Sequence, residues 1–322
     1  RGNPPSIRFI QVKEMNIRKV IFLLLAPFIV LSCNKKKEGN TMNSGYIKIA
    51  VDQTMAPTIQ AAINLFESEN EAIVEPLYTS EREALDLLMA DSVRLAVTAR
   101  RLTTAERNYF YEQKYQPEEI RIALDAIALI VHPSNPDSII NVQNVKRILT
   151  GEAKQWNEIY PGSGLGNIQV IFDNTNSSIV RYANDSICRD KPLSSDLNAL
   201  NLNEEVVEYV SQNPGSLGLI GVNLISDPND STVVELTTKV KVMRVTWNGH
   251  PDRFNAVQPY QYYIYTGQYP FIREIYVILN DPRGELPKGF TRFLISDRGQ
   301  RIILRSGLLP SVMPVNAVKI RD

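Results

Sequence analysis

The residues best suited to chemistry lie at positions 167–185, where the sequence reads NIQVIFDNTNSSIVRYAND. An apolar, β-type run passes through a polar turn, and a helical pattern begins at Ser177 or Ser178. A strand that ends at a helix N-terminus points free backbone N–H groups and the positive end of the helix dipole at one spot, which attracts anions. Asn176 and Ser177 also suit plain helix capping, which this stretch taken alone favours over anion binding.

The elements that position these residues alternate between strand and helix. Residues 46–51 predict a strand, Pro57 suits the first turn of the helix that follows, and residues 72–77 predict the next strand. Capping boxes that start at Ser80 and Thr103 introduce two further helices. This order predicts an α/β fold with a mostly parallel sheet and right-handed crossovers.

Two long segments of the chain predict crossings between two domains. Residues 120–131, IRIALDAIALIV, are too long for one short strand and predict a strand that crosses near Asp125. Residues 260–279 are aromatic and β-branched and predict the returning strand. In addition, residues 233–245 predict a pair of strands, and residues 290–306 predict one closing helix.

These crossings define the predicted domain organisation. An upstream extension and leader occupy residues 1–33, and a flexible linker occupies residues 34–45. Domain I is expected to contain residues 46–125 and 271–322, and domain II residues 126–270.

The leader has the features of a lipoprotein signal. Arg18 and Lys19 precede an apolar run at residues 20–31, which is too short to span a bilayer comfortably. The motif VLSC that ends it resembles the lipobox of bacterial lipoproteins, so we expect Cys33 to carry the lipid, with Met15 as the start of the leader. An ordinary cleaved signal peptide is the alternative. The expected location is the periplasm, with the protein anchored to a membrane.

Composition narrows the classes of function. The chain has 35 basic and 35 acidic residues, and removing residues 1–33 takes away five basic residues and one acidic residue. The remainder is slightly acidic, so nucleic acid is not an expected partner. His132 and His250 are the two histidines, and neither lies in a metal-ligand spacing or suggests a Ser-His-Asp arrangement. We therefore expect no catalysis, no metal and no cofactor.

Several segments together resemble the PstS family, the phosphate-binding solute receptors of ABC transporters. The resemblance covers residues 46–314 and implies a type II periplasmic-binding fold, in which two α/β domains with mostly parallel sheets are joined by two crossing strands. The similar segments are ILTGE at 148–152 with WNEI at 156–159, PGSLG at 214–218, YP at 269–270, FLISDRGQ at 293–300 and GLLP at 307–310.

The resemblance also implies a binding site for phosphate or a related small oxyanion between the domains. In that family three helix N-termini hold the ligand, and a serine hydroxyl there can accept from the backbone while it donates to the ligand. The corresponding positions in this chain are Thr54, Met55, Ser80, Asn176, Ser177 and Ser178.

Two departures from the family pattern concern charge. The arginine expected before the third helix is absent, and the aspartate that would accept a phosphate proton falls on Ala99, so phosphate selectivity does not carry over. Arg181 is the first candidate for a substitute cation and Arg100 the second. Asp173 or Asp52 can supply an acceptor, although a turn aspartate that bonds its own backbone is the simpler role.

The expected function is an extracytoplasmic solute-binding lipoprotein that captures the oxyanion by hinge motion near Asp125 and Pro270 and delivers it to an inner-membrane ABC permease. The alternative is a non-transport sensor or structural lipoprotein on the same fold, whose cleft has lost phosphate binding. A specific anion should stabilise the receptor, whereas a degenerate cleft should respond to none.

Overall fold

The computed structural model describes residues 39–226 and 231–312 of the chain. The leader, the lipidation site predicted at Cys33 and residues 34–38 of the linker lie outside the described residues. Of the described residues, those from Asn40 onward form one compact unit. Among the residues described, no helix combines the length and the apolar character needed to cross a bilayer.

The strands of this unit are β1 (Ser44–Asp52), β2 (Glu71–Thr79), β3 (Leu95–Thr98), β4 (Glu118–Val131), β5 (Ile139–Asn141), β6 (Gln169–Phe172), β7 (Asn198–Ala199), β8 (Ser216–Gly221), β9 (Lys241–Val242), β10 (Arg244–Thr246), β11 (Ile272–Leu279) and β12 (Leu309–Pro310). Ten of them form a mixed sheet with the order β2-β1-β3-β11-β4-β8-β6-β7, in which β9 and β12 also pair with β4. A separate two-stranded sheet pairs β5 with β10.

Strand β4 connects the two parts of the sheet. Its first half pairs antiparallel with β11 as far as Ala126, and from Ile127 onward it pairs antiparallel with β8. On one side β1 pairs parallel with β2 and β3, and on the other β6 pairs parallel with β7 and β8. We call these sides the N-terminal lobe and the central lobe. The structure therefore confirms the predicted α/β class and the crossing strand, while the predicted domain limits remain a prediction.

Helices cover both lobes and bury one face each. The first helix, for example, buries Ile59, Ala62, Ile63 and Phe66, which share one face at helical spacing. The helices are α1 (Ala56–Glu69), α2 (Glu81–Met89), α3 (Thr104–Glu112), α4 (Val142–Leu149), α5 (Ser178–Tyr182), α6 (Asn203–Gln212), α7 (Ser231–Lys239), α8 (Gln261–Tyr265), α9 (Leu286–Ile295) and α10 (Asp297–Arg305).

The strand pair predicted for residues 233–245 was wrong in its first half. Residues up to Lys239 form α7, and short strands β9 and β10 follow. The β-branched composition favoured strand, but Val233 and Leu236 are spaced as on one helix face and are both buried. Packing of that face against the rest of the central lobe overrides the local preference.

Two further assignments near the C-terminus need correction. The returning strand was predicted for residues 260–279, but α8 and a turn come first and β11 begins only at Ile272. The closing helix predicted for residues 290–306 is two helices, α9 and α10, because the chain is extended at Ser296, whose hydroxyl accepts from the N–H of Gly299. A helix cap inside an amphipathic pattern therefore ended the first helix early.

We expect Gly218→Ala to destabilise the protein, because β8 has no room for a side chain at this position. A Cβ there would lie 2.8–2.9 Å from atoms of Ile130, Val206 and Val210, and overpacking of a core costs about 1–3 kcal/mol. Gly164→Ala is the matched control, since its Cβ meets nothing within 4 Å. Urea unfolding of both variants checks this, and equal midpoints would contradict it.

Candidate ligand-binding site

A buried ion pair between the two crossing strands lies at the centre of the candidate site. Arg273 of β11 stands directly opposite Asp125 of β4 in the antiparallel register. Both Nε and Nη2 of Arg273 lie 2.7 Å from Oδ2 of Asp125, and the two side chains are 1% and 0% exposed. Because a buried guanidinium needs partners for its remaining donors, this pair requires further polar groups around it.

Two hydroxyl groups supply those partners, one from each lobe. Arg273 Nη2 donates to Thr54 Oγ1 at 3.0 Å, and Nη1 donates to Ser178 Oγ at 2.6 Å. The two hydroxyl oxygens are 3.3 Å apart. Thr54 precedes α1 in the N-terminal lobe, and Ser178 is the first residue of α5 in the central lobe. One guanidinium therefore joins the start of a helix in each lobe.

Two of the three helix starts singled out from the sequence, those of α2 and α5, carry a side-chain cap, and α1 is preceded by a capped 3₁₀ turn, Gln53–Met55. Asp52 accepts from the N–H of Thr54 at 3.0 Å, and Ser177 accepts from the N–H of Val180 at 3.2 Å. Ser80 accepts from the N–H of Glu83 at 3.3 Å, but the Glu83 carboxylate bonds the Thr79 hydroxyl, so this capping box is only half formed. These caps orient the turns from which Thr54 and Ser178 reach Arg273.

The start of α2 meets α5 through a second buried carboxylate, Glu81. Its Oε2 accepts from the N–H of Ala99 at 2.9 Å, and Arg181 of α5 donates to both of its oxygens. Arg181 Nη2 also donates to the carbonyl of Ala99 at 3.0 Å. Arg100 lies 3.5 Å from Glu81 and forms a two-point ion pair with Glu106. Glu81 thus brings a carboxylate to the position where the family pattern placed an aspartate.

Three buried aspartates near Arg273 have an oxygen without a hydrogen-bond partner: Asp52 Oδ2, Asp173 Oδ1 and Oδ1 of its ion-pair partner Asp125. Burial raises the pKa of Asp52 to about 6, and the negative charge of Glu81 adds to this shift while Arg273 opposes it. Burial also raises the pKa of Asp173. A carboxyl group with a raised pKa near a guanidinium can exchange a proton with a ligand at neutral pH.

An open cleft lies beside this centre, between α2 and the start of α5. Asn176 and Ser177 lie on its wall, whereas Met55 is buried in the core and Ser80 is half-buried. Its lining is mostly polar and comes from both lobes: Glu81, Arg82, Asp86, Arg100, Glu106, Thr175, Asn176, Ser177, Val180, Arg181, Asn184, Asp185 and Leu193. Within the described residues, no group of three or more His, Cys, Asp or Glu is arranged to hold a metal ion.

Sequence reasoning missed Arg273. The signal that could have found it is the presence of charged residues inside the two apolar crossing segments: IRIALDAIALIV contains Arg121 and Asp125, and PFIREIYVIL contains Arg273 and Glu274. A charge inside a buried strand must find a partner of opposite sign, so Asp125 with Arg273 is one of the available cross-strand pairs. The ligand roles predicted for Arg181 and Arg100 remain predictions, and in the structure both side chains bind carboxylates.

The fold and this site define a class of protein in which two α/β lobes surround a polar cleft. A family model for the PBP superfamily domain matches residues 36–298, and the chain belongs to this superfamily.

Relatives with known roles are distant in sequence but similar along most of their length. The phosphate-binding protein PstS of Staphylococcus saprophyticus is 21% identical over 271 residues, which cover 82% of this chain and 78% of that protein. PstS of Borreliella burgdorferi is 23% identical over 305 residues, covering 91% and 99%. These relatives confirm the resemblance to the PstS family.

Solved structures show the same fold. A phosphate-bound structure, described as a putative phosphate ABC transporter substrate-binding protein from Clostridium perfringens, superposes with a TM-score of 0.69 at 19% identity, covering 83% of this chain and all of that one. An ABC-type phosphate transport receptor from Vibrio cholerae gives 0.62 at 19% identity, again covering 83% and 100%.

We expect Asp125→Asn to lower the free energy of unfolding by about 3–5 kcal/mol, because it leaves the buried Arg273 guanidinium without its counter-charge. Glu274→Gln is the matched control, since Glu274 pairs with Arg121 across the same two strands but both side chains are about half exposed, at 45% and 44%. An exposed pair contributes about 1 kcal/mol or less. Urea unfolding measures both, and equal small losses would show that the buried pair is dispensable.

The ligand-free protein should become less stable, through Asp52, as the pH rises from about 4 to 7. With its pKa raised to about 6, Asp52 keeps its proton in the folded state at pH values where the unfolded chain releases it, so ionisation favours unfolding. The Asp52→Asn variant cannot ionise at this position. Its free energy of unfolding minus that of the wild type should therefore rise by ~1–3 kcal/mol between pH 4 and pH 7. Urea unfolding of both proteins at the two pH values tests this, and a difference that does not change with pH would contradict the raised pKa of Asp52.

Proposed function

We propose that this protein captures phosphate between its two lobes and delivers it to an ABC transporter. The observation that carries the proposal is the Arg273 guanidinium, which lies at the junction of the lobes and donates to hydroxyl groups at two helix starts. Guanidinium groups, hydroxyls and helix N-termini are the groups with which proteins bind oxyanions.

Arg273 supplies the cation that this chain lacks before the third helix, where the family pattern has an arginine. The ion pair with Asp125 fixes the position of the guanidinium, so that its Nη atoms donate to Thr54 and Ser178. These hydroxyls accept from Arg273 in the structure, and a hydroxyl can rotate to donate instead. A bound oxyanion would then accept from Arg273 and from both hydroxyls, which is a three-point attachment that spans the lobes.

Asp52 and Asp173 favour an oxyanion that carries a proton. Each has a buried oxygen without a partner, and an ionised sulfate would place its lone pairs against these oxygens. Hydrogen phosphate can donate a hydrogen bond there. A site whose buried polar groups need hydrogen-bond partners discriminates strongly against a ligand of the same shape that cannot supply them. Phosphate should therefore bind more tightly than sulfate.

The relatives support the choice of phosphate and of transport, because their own descriptions name phosphate binding and phosphate ABC transport. Delivery to an inner-membrane permease and attachment through a lipid on Cys33 complete the proposal. The lipid anchor is supported by the lipobox-like VLSC sequence alone. The whole would act outside the cytoplasm, as a binding protein and not as an enzyme.

Calorimetry with phosphate tests the proposal directly. We expect Arg273→Lys, Thr54→Val and Ser178→Ala each to weaken phosphate binding, and Arg273→Lys to do so by about a hundredfold or more, since lost charge-assisted contacts cost several factors of ten. Arg121→Lys is the matched control, because Arg121 is an exposed arginine in the strand that pairs with β11. It should bind as wild type does.

Sulfate, arsenate and molybdate complete the ligand panel. If phosphate and arsenate bind and sulfate does not, selection by the aspartates is supported. Asp52→Asn should then reduce the difference between the affinities for phosphate and for sulfate. If the wild type responds to no oxyanion, the fold has been kept without this ligand, and a sensor or structural role replaces the transport role.

A further inference from the structure

The Arg273 centre adjoins the open cleft but contributes none of the side chains Thr54, Ser178 and Arg273 to its lining. These three residues are at most 3% exposed, whereas the cleft is open to solvent and bordered by Glu81 and Arg181. Glu81 belongs to both regions, because it lines the cleft and its charge acts on Asp52 and on Arg273. Glu81 and its partner Arg181 therefore lie where the solvent-filled cleft meets the surroundings of the buried guanidinium.

The contact that closes this boundary joins the two lobes. Glu81 is held within the N-terminal lobe by the N–H of Ala99, 2.9 Å away, and by Arg100. Arg181 reaches it from α5 of the central lobe and also donates to the Ala99 carbonyl at 3.0 Å. The Glu81 side chain is 3% exposed and that of Arg181 is 27% exposed, so water screens this pair less than a surface ion pair.

We propose that the Glu81–Arg181 pair is a gate that controls entry to and release from the Arg273 site. This inference rests on the proposed function, because it assumes that an anion reaches Arg273. The pair ties α2 to α5 when the lobes are closed, and it must break before an anion can pass from the cleft to Arg273. Arg181 is then a positioning residue that closes the cleft, while Arg273 binds the anion.

A gate and a direct ligand contact change binding rates differently. Loss of a contact to the ligand mainly speeds release and leaves the association rate almost unchanged. Loss of a gate lowers the barrier in both directions, so association and release both become faster and the dissociation constant changes less than either rate. The two roles are therefore separated by measuring both rate constants.

The test is stopped-flow mixing with inorganic phosphate, followed by intrinsic fluorescence, on Glu81→Gln, Arg181→Gln and the double variant. Each single variant should raise both rate constants about tenfold, which corresponds to about 1.4 kcal/mol. The double variant should add little, since both changes break one pair. Glu119→Gln is the matched control, because Glu119 also pairs with an arginine, Arg107, and accepts from a backbone N–H, but within the N-terminal lobe.

Small-angle scattering of the ligand-free proteins provides a readout that does not need phosphate. The radius of gyration of Glu81→Gln and Arg181→Gln should exceed that of the wild type, whereas Glu119→Gln should match it. The gate would be overturned if both variants had the radius of gyration and the rate constants of the wild type. It would also be overturned if only the rate constant of release changed. If the wild type binds no phosphate but the variants expand, the closing role of the pair stands and the proposed function fails.

Discussion

The burial of one ion pair between the crossing strands is the constraint on which the rest of this site depends. Arg273 and Asp125 face each other where β11 and β4 run between the lobes, and both are almost completely removed from water. Desolvation of two charges is costly, and the cost is offset only when the remaining donors find acceptors. Thr54 and Ser178 are those acceptors. Because one guanidinium bonds both hydroxyls, it holds two helix starts from different lobes close together.

In the proposed function, Arg273 combines a structural role with a binding role. The charge that holds the crossing strands together is also the charge that faces the junction of the lobes. Its second layer, Glu81 with Arg181 and Arg100, lies closer to solvent and joins the lobes at the edge of the cleft. In the proposed function the inner layer binds the anion and the outer layer opens, which suits a ligand that must be enclosed and then released.

In the proposed site, buried carboxylates take the role that the family pattern gives to an aspartate. Ala99 stands at that position, but its backbone N–H and carbonyl bind Glu81 and Arg181. Asp52 ends β1 and Asp173 follows β6, and each has an unpartnered oxygen. In the proposed site, the role of one family aspartate is divided among groups that are far apart in the chain.

The sequence by itself determined the alternation of strands and helices, the capped helix starts and the long crossing strand, because hydrophobic period, capping residues and turn residues act over a few positions. The superfamily resemblance followed from the order of short segments. Only the tertiary structure decided that Arg273 is the central cation, since its contact with Asp125 joins positions 148 residues apart and no local pattern encodes such a pair. For the same reason, residues 231–239 became a helix despite their β-branched composition: the apolar surface available to Val233 and Leu236 exists only after the central lobe has formed.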